Sequence, residues 1–213
     1  VITITGVCGL VIVTVSRVYG ALGHAVTRRL AQQLGYRLVD DDLPVVVAAR
    51  LGTSPDVVEN VEHRPAGFGE RFLRSLGTAV PEAFQPLSHD DDLTDAALRE
   101  VERLIREAAD AGNAVIVGRA ANVVLAGRPD VLRVFLTAPV AWRIAHIAQA
   151  RAVDEPAARA EISRVDAARR AFARDRYDAA WGDPRHYDLV LDVSTFGIEG
   201  AVQVIAAAVE VRA

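Results

Sequence analysis

The stretch from Leu10 to Leu34 reads as a buried strand, a glycine-bearing turn and an amphipathic helix, LVIVTVS-RVYGALG-HAVTRRLAQQL. A turn that joins a buried strand to a helix N-terminus exposes several backbone N–H groups, and with the helix dipole they attract an anion. Gly20 and Gly23 permit positive φ and close approach of a phosphate. Tight packing of the turn would explain the two glycines as readily. A loop that cradles phosphate ordinarily ends in glycine and lysine, but all 24 Lys+Arg residues of this chain are arginine. Arg17 and His24 are the loop residues able to add charge. Ser16, at the strand end, joins Gly20, Gly23 and His24 as a candidate contact to a phosphate-bearing cofactor.

Further apolar runs recur at residues 36–39, 114–117, 132–137 and 188–193, which with 10–16 makes five short strands. Most are continuous rather than alternating, as expected of parallel strands buried on both faces. Helical patterns separate them. Residues 24–34 place Val26, Leu30 and Leu34 on one face and stop at Gly35, a good residue to end a helix. Thr94 is positioned to cap a helix over 95–111 with an apolar stripe of Leu98, Val101, Leu104, Ile105 and Ala108. Residues 140–151, 155–180 and 198–209 complete the series. The alternation predicts an α/β fold with a mostly parallel sheet and right-handed crossovers. Ligands then bind beyond the carboxyl ends of the strands, so the loops after Ser16, Val39, Val117 and Thr137 face the site. Residues 1–9 read as an added edge strand or an upstream extension. Residues 65–93, rich in proline and glycine, read as a mobile or partner-contacting insertion.

Composition narrows the class. At 213 residues with 51% apolar content and a net charge of −4, this is an ordinary globular composition for one α/β domain with an insertion. A sequence pI near 5.7 argues against a dedicated nucleic-acid binder. The single cysteine, Cys8, forms no intrachain disulfide and fits a reducing compartment. No apolar run reaches the roughly 18 residues of a membrane span. A cytoplasmic protein is expected.

Four other places carry candidate chemistry. Asp40, Asp41 and Asp42 follow the second strand, where a carboxylate can hold magnesium through water or orient a nucleophile. Capping by Asp42 before Leu43-Pro44 is the alternative. Val117-Gly118-Arg119 follows the third strand and offers a planar fork suited to a phosphate or a base edge; a surface ion pair would explain it equally. The densest signal is RVDAARRAFARDRYDAAW, residues 164–181, which holds Arg164, Arg169, Arg170, Arg174 and Arg176. Such a helix can close over a triphosphate and supply positive charge. The alternative is a solvated amphipathic helix balanced by Asp166, Asp175 and Asp178. Asp90, Asp91 and Asp92 read as a solvated loop. The histidines and the lone cysteine show no metal-ligand spacing.

Taken in order, VIVTVSRVYGALGHAVTRRLAQQLGYRLVDDDL, AVIVGRAANVVL, LRVFLTAPVAWRI, VDAARRAFARDRYDAAWGDPRHYDLVLDVS and FGIEGAVQVI resemble the cytidylate kinase-like family, a branch of the P-loop nucleoside monophosphate kinases. Gly118-Arg119 looks like the start of the glycine-arginine-aspartate motif of CMP kinases, with Ala120 in place of the aspartate. Asp166-x-x-Arg169 is similar to a lid pair that contacts nucleotide. The resemblance implies a three-layer fold over residues 1–213 as a single domain, with a five-stranded parallel sheet, an NMP-binding insertion over about 43–94 and a helical lid over about 155–181. It implies transfer of the ATP γ-phosphate to CMP, dCMP or a related small acceptor, with Mg2+. On this reading Arg17, Asp40, Arg169 and Arg174 are catalytic. Ser16, Gly20, Gly23, His24 and Arg170 bind ATP, while Asp41, Arg119 and Asp166 bind the acceptor. The family places Leu22 where a glycine normally precedes the lysine, and Gly23 at the lysine position itself. A catalytically weak nucleotide-binding regulator and a purely structural module are the other readings. The insertion and residues 1–9 are plausible contact surfaces of a homodimer.

Overall fold

A computed structural model of the chain describes residues 11–40, 43–52 and 89–212. Residues 1–10, Asp41, Asp42 and the part of the expected insertion over 53–88 lie outside the described residues. The five strands are β1 (Ile12–Arg17), β2 (Arg37–Val39), β3 (Ala114–Val117), β4 (Val131–Thr137) and β5 (Leu189–Asp192). They form one all-parallel sheet in the order β2-β3-β1-β4-β5. The helices are α1 (Gly23–Leu34), α2 (Leu43–Leu51), α3 (His89–Asp110), α4 (Ala121–Val124), α5 (Val140–Arg151), α6 (Glu155–Tyr177) and α7 (Val193–Arg212). A short 3-10 turn spans Pro184–His186.

Strand side chains alternate between two faces, and both faces are covered. Val13, Val15, Val115, Val134 and Leu136 pack with α1 and α7. Ile12, Ile116 and Val131 pack with α2, α3 and α4. This double burial explains why the strands read as continuous apolar runs. The helices end and begin where local chemistry dictates. Gly35 closes α1 at φ 65°, its amide bonded to α1 carbonyls. Asp154 caps α6 by accepting from the Ala157 amide at 2.8 Å, with Pro156 in the first turn.

Three boundaries differ from the sequence reading. Helix α3 begins at His89, not after a Thr94 cap, so Asp90 to Asp92 lie in its first turn rather than in a loop. Acidic residues are favoured at that end of a helix dipole. Helix α6 stops at Tyr177, where Asp178 turns left-handed at φ 48°. Helix α7 starts directly after β5 and kinks at Gly197, φ 66° and ψ −178°. By length and composition α7 could cross a bilayer. Its apolarity has another use here, since Ala201, Val202, Ile205, Ala206 and Val209 are buried in the core.

At the amino-terminal side of the sheet Asp188 ties β4, β5 and α7 together. It accepts from the Arg133 amide at 2.8 Å, from Arg133 Nη2 at 2.8 Å and from Arg212 Nη1 at 3.3 Å. The bond from Arg133 is the main cause holding the Asp188 carboxyl below its ordinary 3.8. A carboxyl depressed on folding stabilises the native state above its unfolded pKa, and that contribution is lost as pH falls below it. Asp188→Asn should therefore cost about 1 kcal/mol at pH 7, the scale of a solvent-screened pair. The gap to wild type should shrink as thermal unfolding is repeated from pH 4.5 down to pH 2.5.

Candidate functional site

The carboxyl end of β1 feeds the loop from Arg17 to Gly23, and this loop is held on several sides. The Val18 amide donates to the Leu136 carbonyl at 3.0 Å and the Tyr19 amide to Asp166 Oδ1 at 2.8 Å. Gly20 takes φ 82°, and a Cβ there would stand 3.2 Å from Ile147 Cγ1 and 3.3 Å from Arg143 Cβ. Helix α1 then begins at Gly23, and its first N–H groups have no acceptor within the helix. That leaves a cradle for an anion at the open end of α1.

Arg17 crosses this cradle. A Cβ at Gly23 would lie 2.7 Å from Arg17 Cγ, and one at Gly118 would collide with Arg17 Nη1. The glycines after β1 and β3 thus form the two walls of an arginine slot. At the end of the slot Arg17 Nη2 faces Asp40 Oδ1 at 3.8 Å. Asp40 is buried, 6% exposed, and its other oxygen is 3.3 Å from His24 Nδ1. Arg28 Nη2 lies 2.7 Å from His24 Nε2. An arginine can only donate, so Nε2 accepts and Nδ1 carries the hydrogen that Asp40 receives. Arg119 Nη1 donates to the Asp40 carbonyl at 2.7 Å. Gly118, Arg119 and Ala120 are all left-handed, at φ 72°, 51° and 51°. Two non-glycine residues in that region cost about 1–2 kcal/mol each, and such strain collects at functional sites.

Helix α6 lies across the loop. Arg169 Nη1 donates to the Arg17 carbonyl at 2.8 Å, and its guanidinium sits 6.0 Å from the Tyr19 ring centre. Burial, followed by the Arg17 cation, lowers its pKa to about 10. Of the helix arginines singled out in the sequence, Arg169 is the one that reaches the loop. Arg170 stands over Trp181 at 5.8 Å, and Arg174 pairs with its neighbour Asp175 at 2.7 Å on the exposed side. Both carboxylate oxygens of Asp166 are taken by protein groups, the Tyr19 amide and Arg143. Ser16 is buried, on the sheet face away from α1, with its hydroxyl 3.5 Å from Asn122 Oδ1. Asp41 lies outside the described residues.

Arg143 and Tyr19 were not evident as site residues from sequence. The available signal was position: Arg143 lies four residues before Ile147 on the stripe of α5 that is buried, where an unpaired arginine would be costly. Leu22 shows a different compromise. It caps α1 in the left-handed region at φ 54°, and its side chain packs against the apolar cluster under α1. Leu22→Ala keeps the strained backbone and loses that packing, whereas Leu22→Gly removes the strain. The glycine variant should be the more stable of the two by about 1 kcal/mol in denaturant titrations.

Among the described residues no group of three or more His, Cys, Asp or Glu side chains is placed to hold a metal. Magnesium that travels with a nucleotide needs less, typically one or two carboxylates with phosphate oxygens and water. Asp40 is the carboxylate at the carboxyl end of β2 beside the cradle, with Arg17 and His24 facing its two oxygens.

The five-stranded parallel sheet thus carries a glycine-bearing turn at its first strand–helix junction, with the arginine of α6 bonded to it. Residues 12–195 match the cytidylate kinase-like family, and the chain belongs to it. A cytidylate kinase of Methanopyrus kandleri is 29% identical over 137 residues, covering 61% of this chain and 69% of that protein. A cytidylate kinase of Methanocaldococcus jannaschii is 26% identical over 154 residues, covering 71% and 84%. The crystal structure of an uncharacterized protein from Eubacterium ventriosum shares the fold at a TM-score of 0.64 with 19% identity, over 94% of this chain and 98% of that one.

Proposed function

We propose that this protein transfers the γ-phosphoryl group of ATP to a nucleoside monophosphate, CMP or dCMP, with arginines in place of the loop lysine. One observation carries the reading. Arg17 and Arg169, 152 residues apart, meet at the open end of α1, and the proton affinity of Arg169 is lowered by burial and by Arg17. Two cations held together beside a helix N-terminus are stabilised by an anion between them. Phosphoryl transfer depends on such positioning and electrostatics rather than on covalent chemistry by the protein.

The division of labour follows strand order. The ATP phosphates rest on the amides from Gly20 to His24, with Arg17 reaching across them from β1. Arg169 approaches from the β4 side, where charge develops on the transferred group. The acceptor enters from the β2–β3 side, where Arg119 and Asp40 stand and where the insertion begins. Asp40 and His24 fix the direction of the Arg17 guanidinium, and Asp40 is the residue that would face magnesium through water. The ion itself neutralises phosphate charge when bound. A cytoplasmic location fits the supply of these nucleotides.

Ala120 supports a second reading. It stands where CMP kinases carry an acid, so the chain would bind nucleotide as a weak or inactive regulator. Calorimetric titration with ATP, CMP and dCMP tests both. Binding of ATP and one monophosphate at micromolar to millimolar levels is the expected outcome, and absence of any nucleotide binding would defeat both readings.

A further inference from the structure

We propose that Asp166 and Arg143 form a buried clamp that shapes the phosphate-binding loop, so that Asp166 is a positioning residue and not a nucleotide contact. The role given to the loop rests on the kinase reading above; the clamp rests on geometry alone. Asp166 and Arg143 side chains are 6% and 7% exposed and meet at 2.7 Å. Asp166 Oδ1 accepts from the Tyr19 amide at 2.8 Å, while Arg143 Nη1 also donates to the Tyr19 carbonyl at 3.0 Å. Arg143 Nε donates to the Ala138 carbonyl at 3.1 Å, which anchors the guanidinium to the end of β4. Both polar groups of the Tyr19 backbone are therefore fixed by side chains, one from α6 and one from α5.

The next residue shows the consequence. Gly20 is left-handed and packs against Ile147 and Arg143 so closely that a Cβ would not fit without displacement. The Tyr19 side chain adds an outer latch: its hydroxyl donates to Glu161 at 2.8 Å, Glu161 pairs with Arg151 at 2.7 Å, and its ring lies near both Arg151 and Arg169. Asp166 and Arg169 are one turn apart on α6 and hold residues 19 and 17 respectively. Loop and helix are thereby one unit, and the clamp that shapes the loop also sets where Arg169 stands. In a chain whose loop has lost the lysine and carries Leu22, the shape comes from outside the loop. Both Asp166 oxygens are bonded to protein groups and the side chain is 6% exposed, so the carboxylate is turned toward the loop and α5 rather than toward solvent.

Amide hydrogen exchange on the full-length protein without nucleotide tests the clamp independently of catalysis. In Asp166→Asn a single acceptor oxygen must serve both Tyr19 and Arg143, and the new amide donors face the guanidinium. Exchange at Tyr19, whose amide Asp166 holds, should rise by at least ~10-fold, the equivalent of one charge-assisted hydrogen bond. Amides of β1 and β3 serve as the control for global unfolding and should be unchanged. Tyr19→Phe, which removes only the outer latch, should raise loop exchange by a smaller factor and secures the test if Asp166→Asn unfolds. ATP affinity measured on the same samples should fall in the order in which loop exchange rises. Unchanged loop exchange in both variants, or an Asp166→Asn protein that loses ATP affinity with the loop as protected as in wild type, would overturn the proposal. If wild type binds no nucleotide while the exchange result holds, the kinase reading fails and the clamp stands.

Discussion

Arg169→Met should lower the turnover of phosphoryl transfer by ~10³-fold, the lower end of what a transition-state arginine contributes. The guanidinium is tied to the Arg17 carbonyl by one N–H and set against the Tyr19 ring, so its remaining donors are oriented without further ordering. Preorganised donors of this kind act on developing charge in a water-poor site. The loss should fall mainly on kcat, because an interaction made chiefly in the transition state leaves ground-state binding little changed. Arg169→Lys should recover little of it, since a single ammonium cannot both hold the Arg17 carbonyl and reach a phosphoryl oxygen in the same fork geometry. Stability should not fall with activity. The folded-state pKa of about 10 lies below the ordinary arginine value, so folding disfavours this cation in full at pH below about 10, and the penalty fades only as pH rises from there toward the unfolded value. The thermal midpoint of Arg169→Met at pH 7 should equal or exceed that of wild type, which separates a catalytic loss from unfolding.

Arg17→Met should cost ~10²-fold in kcat/KM for ATP, the scale of one lost electrostatic contact in an active site. Unlike Arg169, Arg17 lies along the phosphate cradle from the start, so the loss should appear in ATP affinity as well as turnover. The slot offers a second way to the same result. Gly23→Ala leaves every charge in place but puts a methyl group 2.7 Å from Arg17 Cγ, near the stem of the side chain where little can yield. It should reproduce much of the Arg17→Met defect, and the double variant should be no worse than Arg17→Met alone. Such non-additivity marks residues that act through one another. Full additivity in kcat/KM would show that Gly23 serves the backbone cradle and not the arginine.

The sheet was legible in the sequence because burial on both faces writes itself as uninterrupted apolar runs. Ile12 to Val15 and Ala114 to Val117 are each fully buried, and the helix after β1 closes on Gly35. The placement of Arg17, Asp40 and Arg119 around one point was legible for a related reason, since parallel strands deliver their following residues to a common edge. Parity along β1 also assigns Ser16 to the face of Ile12 and Thr14, away from α1, where Asn122 meets it. The helix arginines were harder. Arg170 and Arg174 share a helical face, but charge spread all round α6 gives no signal of which face turns inward, and packing turns Arg169 instead. The clamp was not legible at all, because the Tyr19 amide and Asp166 are 147 residues apart and their contact exists only once α5 and α6 have docked. A buried arginine such as Arg143 looks like a surface charge until its three acceptors are in place.

Incubation of the purified full-length protein with γ-labelled ATP, magnesium and each nucleoside monophosphate, followed by separation of the products, tests phosphoryl transfer most directly. Label should pass to the diphosphate of CMP or dCMP in wild type, and this transfer should be reduced by ~10³-fold in Arg169→Met. ATP bound without label reaching any monophosphate, or transfer that is indifferent to Arg169, would contradict it.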